Sequence, residues 1–463
     1  MKAIRGVRFA SLVVLATVGL PVRAQYAGGS GTADDPYLIQ TAEQMNSIGL
    51  NPEDWDRHFR LTADIDMNDL DGAKVNLIGT FEGAFDGNDH TIANLIYRVT
   101  DEDSRAGPIG LFRSVSGWDA LVQNLGLIEP DLRADPTCTR RISYIGALVG
   151  SVGQGWVRNC YVKGGHVLGR YEVGGLAGGC YDNAAVSESW STAEVSGDYH
   201  VGGLVGYIEG SSIWSCHAGT RVSGLLDAGG LVGVLRQEGV IEDCFSTGTV
   251  TGDQAGGLVG ELEEGSVSRC YSTASVSGSF SLGGLVGLNH GVIRTSWAGG
   301  EIAGGMTIGG LVGSNRVGGG IFSILPYFDA TVADCYATGA VRGDITVGGL
   351  IGWNEGTLLR CYSTGAVTKS GGMPASDPES SAGGLVARDE GLADWDIRGC
   401  FWDTTTSGVD KSEGGIGMTT AQMQDLAIYL DAGWDFIGET ANGTEDLWKM
   451  STEEPSHPKL AWE

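Results

Sequence analysis

Histidine is scarce and cysteines never fall in Cys-x-x-Cys pairs. The 463-residue chain has seven histidines, at 58, 90, 166, 200, 217, 290 and 457, with no metal-ligand spacing among them. Zinc-site and dithiol redox patterns are therefore missing. Gly-x-Ser-x-Gly, His-Glu-x-x-His and a Gly-Lys-Ser/Thr loop are missing too, which removes the common hydrolase, metalloprotease and P-loop signatures. No catalytic residue, metal ligand or cofactor is assigned from the sequence. Positive charge is also short, with 29 Lys and Arg against 57 Asp and Glu and a net charge of −28. That balance argues against nucleic acid and anionic membrane surfaces as partners. After the first two dozen residues no apolar run is long enough to span a bilayer.

Those first residues read as a secretory signal. Lys2, Arg5 and Arg8 precede an apolar run over residues 9–20, and Val22-Arg23-Ala24 is a small-residue cleavage site before Gln25. The expected location is secreted or cell surface. Removal of this segment takes four basic residues and leaves a chain still more acidic.

Glycine is abundant, at 77 residues, and ordered. Gly-Gly-Leu-Val-Gly stands at 202–206, 229–233, 256–260, 283–287 and 309–313, with variants at 146–150, 174–178, 348–352 and 383–387. Its leucines, at 148, 176, 204, 231, 258, 285, 311, 350 and 385, are spaced 28, 28, 27, 27, 27, 26, 39 and 35 apart. A period near 27 marks a stacked repeat architecture. Glycine within an apolar run disfavours helix and marks a bend or a close backbone approach. The expected fold is all-β: a right-handed parallel β-solenoid (β-helix), since parallel crossovers take that hand. Roughly eleven coils rising about 4.8 Å each make a rod on the order of 50 Å long. The stretches 316–329 and 369–381 read as loops thrown out from single coils.

Each copy has a second regular half. Cys244-Phe245-Ser246-Thr247-Gly248-Thr249-Val250 returns at 270–276 and 361–367, and more loosely at 189, 216, 296 and 335. Strand alternation sorts it into two rows. Cysteines 160, 216, 244, 270, 335, 361 and 400, with Ser189 and Ser296, share one small inward position and are expected to be buried free thiols. Cys138 and Cys180 lie off this ladder and could pair; a wider disulfide framework is the alternative.

The domain reading is residues 1–24 signal, 25–108 N-terminal cap with first irregular coils, 109–403 repeat solenoid and 404–463 C-terminal cap. Thr41 with Gln44, and Thr419 with Gln422, have capping-box spacing, so short helices are expected near 41–48 and 419–430. Asp64-Ile65-Asp66-Met67-Asn68-Asp69 begins like a calcium loop, but Val75 stands where the twelfth-position Glu belongs. It reads as a solvated turn.

The recurring Gly-Leu-Val-Gly flanked by Cys-Tyr-Ser-Thr-Gly resembles the GLUG-motif proteins of bacteria, over about residues 109–401. The resemblance implies a secreted or cell-surface β-solenoid used as an adhesive or accessory region. It carries no catalytic residues to transfer.

The outward row supplies the candidate site: Tyr161, Trp190, Phe245, Tyr271, Trp297, Tyr336, Tyr362 and Phe401, with His217 among them. Aromatics stacked along a rod form a strip that marks a binding surface, and sugar rings have apolar faces suited to it. The expected function is a non-catalytic extracellular adhesion or scaffold protein binding a glycan or cell-surface polymer. The alternative is a polysaccharide-active lyase or glycoside hydrolase on the same scaffold, by analogy of fold.

Overall fold

The computed structural model describes residues 25–70, 74–99, 107–134, 143–318, 330–371, 381–391, 397–451 and 456–463. The signal segment, Cys138 and most of the two expected loops lie outside them.

One copy shows how a coil is built. Tyr199–Gly202 is a strand of a nine-stranded sheet. The glycine phrase turns the chain into Val205–Glu209 and Ser212–Trp214, in a sheet of twenty-two strands. A second corner leads to His217–Ser223, in a sheet of twenty-one strands. Each strand pairs in parallel with its counterpart one coil away, as Val205 with Val232 and Val232 with Val259. The chain is a parallel β-solenoid.

The phrase is glycine-rich because its corner has no room. A Cβ on Gly202 would lie 1.9 Å from the Val205 carbonyl oxygen, and one on Gly203 2.1 Å from the Gly230 oxygen of the next coil. The leucine between these glycines and the valine fills the bore. All nine leucines of the phrase are wholly buried. Their carbonyls tie the corners together: Leu231 O accepts from Leu204 N at 2.9 Å and from Val205 N at 3.1 Å.

The inward cysteine row has its own logic. Ser189 Oγ donates to Ser187 O and accepts from Cys160 N, at 2.7 and 3.0 Å. Cys244 Sγ does the same with Glu242 O and Cys216 N, at 3.1 and 3.4 Å. Thiol and hydroxyl are interchangeable here because both donate back and accept across. The eight described cysteines, Cys180 included, are buried and free. Burial pushes the Cys160 and Cys180 thiols up to about 12. In the later coils an apolar file, Leu235 and Leu262, gives way to buried Asn289, Asn315 and Asn354, which hydrogen-bond in sequence and end on Asp389.

At the N-terminal end, helix Ala42–Ile48 turns Ala42, Met45 and Ile48 inward. Thr41 Oγ1 caps Gln44 N, and Gln44 Oε1 reaches back to Gln40 N. Near the other end the Thr419–Gln422 box forms, but the expected single helix does not. Asp425 takes an extended conformation and caps Ala427 N, so a 3-10 turn, Gln422–Gln424, is separated from helix Leu426–Asp431. From there the chain folds back along the flank of the rod.

Candidate functional site

The aromatic file is continuous. Tyr161, Trp190, His217, Phe245, Tyr271, Trp297, Tyr336, Tyr362 and Phe401 follow one another in register on the outer face of the twenty-one-stranded sheet. From Tyr161 to Tyr362 the neighbouring ring centroids are 4.6–5.8 Å apart and their planes lie within 12° of parallel. Rings stacked this way spend their faces on one another. What they present outward is edges. The expectation that flat ring faces are offered to a sugar polymer is corrected on this point.

A second correction concerns the C-terminal end of the file. Tyr336, Tyr362 and Phe401 are only 5%, 2% and 2% exposed, so they are not solvent-facing. They are sealed by the tail, whose Met423, Tyr429, Trp434, Phe436, Trp448 and Leu460 pack with them as one apolar cluster. The Tyr362 hydroxyl donates to Pro458 O at 2.6 Å, and the Tyr336 hydroxyl to the Glu463 carboxylate at 3.0 Å. Burial, then that carboxylate, pushes the Tyr336 phenol well above its usual range. Alternation along a strand tells which side a ring takes. It does not tell which distant segment returns to cover it.

Tyr161, Trp190, His217, Phe245, Tyr271 and Trp297 remain half-buried. Two residues on from these rings stand Lys163, Thr192, Gly219, Thr247, Thr273 and Gly299, so a row that carries three threonines and one lysine runs beside them. The uncovered stretch is a ladder of ring edges with threonine beside part of its length.

A second polar cluster went unnoticed in the sequence. His200 lies 3.4 Å from both the Glu172 and Asp227 carboxylates, and Gln254 Nε2 donates to Asp227 at 2.6 Å. Alongside, Arg236 pairs with Glu263 at 2.8 Å. Burial, then Asp227 and Glu263, pushes the Glu261 carboxyl up to about 8. Positions 172, 200 and 227 are 28 and 27 apart, the same steps as Leu176, Leu204 and Leu231. That spacing was the available signal. Among the described residues no group of three or more His, Cys, Asp or Glu is disposed to hold a metal ion.

The acidic stretch at 64–69 is engaged in turns. Asp64 accepts from Thr91 N at 2.8 Å, and Asp66 from Asn68 N and the Asn94 amide at 3.0 and 2.8 Å. The Thr91 amide leads in holding Asp64 below the usual carboxylate range, and the Asn94 amide does so for Asp66.

Fold and face together define a repeat solenoid with a partly covered aromatic flank. The family model of the GLUG motif matches residues 224–251, one coil from its leading turn through the glycine phrase to the Phe245 strand. With that phrase recurring along the rod, the chain is a GLUG-motif repeat protein. It is similar to halomucin of Haloquadratum walsbyi, 30% identical over 192 residues, which are 39% of this chain and 2% of halomucin. It is also similar to a protein of Evansella cellulosilytica given the name Gly-rich membrane protein, 35% identical over 126 residues, 26% of this chain and 14% of the relative. The chain thus spans a small part of the length of either. Among solved structures, a Bacteroides ovatus protein described as an immunoglobulin A1 protease aligns over 95% of this chain and 96% of its own. At 18% identity and a TM-score of 0.38 the likeness is too loose to build on. Among the described residues no helix is long and apolar enough to cross a membrane.

Proposed function

We propose that this chain is a non-catalytic extracellular scaffold that adheres to a cell-surface polymer, glycan or polypeptide, through the uncovered part of its aromatic file. One contrast carries the reading. The last three rings are sealed by the chain's own tail and the two before them, Tyr271 and Trp297, are flanked by it, while Tyr161, Trp190, His217 and Phe245, in the same register, are left at the surface. A contiguous strip of that kind on a soluble protein marks an interaction site. The signal-like start of the chain supports an exported location, as do the similarities to halomucin and to a Gly-rich membrane protein. Any glycan contact would run along ring edges and threonine hydroxyls.

The test is attachment of the purified protein to the cell envelope of its source, wild type against a Trp190→Ser/Phe245→Ser variant with unchanged far-ultraviolet circular dichroism. Attachment is expected to fall in the variant. Equal attachment by both proteins would sink the reading.

A further inference from the structure

The tail shows how this flank is covered where it is covered. Three tryptophans lie across the ring edges, and none is stacked parallel on the file. Trp434 is tilted 35° to Tyr362, Trp448 is tilted 46° and 48° to Tyr336 and Tyr362, and Trp462 is tilted 30° to Tyr271. All four centroid distances fall between 6.1 and 6.3 Å.

Each indole N–H then reaches the corner of the rod. Trp462 Nε1 donates to Thr295 O at 2.9 Å, Trp434 Nε1 to Gly399 O at 2.8 Å, and Trp448 Nε1 to Asp334 Oδ1 at 3.3 Å. Thr295, Asp334 and Gly399 occupy one repeat position, immediately before the inward Ser296, Cys335 and Cys400, and all have positive φ, at 43°, 54° and 61°. Their acceptors therefore project at the corner beside the aromatic row.

The uncovered stretch repeats this receptor. Asn159, Glu188, Ser215 and Asp243 hold the same position with φ of 49–54°. Among the described residues no hydrogen bond reaches their backbone carbonyls. Each of these coils offers a ring edge next to an outward carbonyl, the pair that receives Trp462 and Trp434.

We propose that the partner of the uncovered stretch is a polypeptide: an extended segment bearing tryptophans, whose indoles cross the ring edges and donate to the corner carbonyls. The inference rests on the adhesion reading and names the chemistry of the same surface. It is continuous with the contact the tail already makes. A sugar polymer is the less suited occupant, because the ring faces it would stack on are already spent.

The probe is a fluorescently labelled peptide of residues 444–463, titrated by anisotropy onto the full protein. Saturable binding is expected. It should weaken by about tenfold or more in the Trp190→Ser/Phe245→Ser variant, as loss of central aromatic anchors does. A Trp448→Phe/Trp462→Phe peptide, which keeps the rings and removes the indole N–H, should also bind more weakly. Equal binding to wild type and variant would mean that the peptide only exchanges with the resident tail, and would overturn the proposal. No peptide binding, with envelope attachment still lost in the variant and a glycan captured on an array, would overturn the polypeptide assignment and leave the adhesion surface standing. Loss of neither would remove both.

Discussion

The side-chain amide of Asn289 donates to the amide oxygen of Asn315 across 2.7 Å, with both residues wholly buried. Asn315 in turn donates to Asn354 at 2.7 Å, and Asn354 to Asp389 at 2.8 Å. A side-chain amide can both give and take at every step, so the file runs through the core without stranding a polar atom. Asn315→Ala leaves Asn289 without its acceptor and Asn354 without its donor. Each stranded group costs about 1–3 kcal/mol. The expected loss in denaturant titration is roughly 2–5 kcal/mol, several times that of Asp389→Asn at the end of the file.

The thiols are expected to be fully reduced. Stacked positions are about 4.8 Å apart, beyond the roughly 3.5–4.5 Å between Cβ atoms that a disulfide requires. Titration of denatured, unreduced protein should recover all eight of the described cysteines. In the folded protein the same reagent should react slowly, because burial holds Cys160 and Cys180 protonated. Recovery of one thiol per chain would mean a cross-linked scaffold.

Stability should fall as the solution becomes alkaline. The folded Glu261 carboxyl binds its proton up to about 8, against a reference value of 4.5 for the unfolded group. Its contribution is fully present below the unfolded value and is lost as pH rises through the folded one. The melting temperature is expected to decline between about pH 5 and 9. Glu261→Gln, which cannot ionise, should flatten that decline; an unchanged slope would place its origin elsewhere.

The two parts of the aromatic file should respond differently to truncation. Tyr362→Ala removes a buried ring and the hydroxyl held by Pro458. A loss of roughly 3–5 kcal/mol is expected, with the tail opened to protease. Trp190→Ala breaks two stacked contacts at the surface, worth about 0.5–1.5 kcal/mol each. Equal losses would mean that the uncovered rings are also held by cover.

Much of this was legible in the sequence, and the limits are physical. The leucines of the glycine phrase can only be inward, because the phrase turns a corner and its one large apolar residue has nowhere else to go. Cys244 and Ser189 exchange freely because their shared position asks for a small group that donates and accepts. The Asn file could have been read as well, since 289, 315 and 354 keep the steps of Leu285, Leu311 and Leu350. The cover over Tyr336 and Tyr362 could not. Its contacts join residues 127 and 96 positions apart, and no periodicity links a repeat to an irregular tail. The break at Asp425 is hidden for a related reason, because a capping residue within a helical pattern looks like an ordinary polar one.

The tail is fixed to the final coils and reaches only the last part of the ring file. A copy gained or lost ahead of residue 254, before the coil that carries Tyr271, would leave that clasp untouched and change only the length of open ladder in front of it, by about 4.8 Å per unit. The gene can therefore adjust the molecule's reach by copy number, like a ruler cut to length from one end, without redesigning the lock at the other.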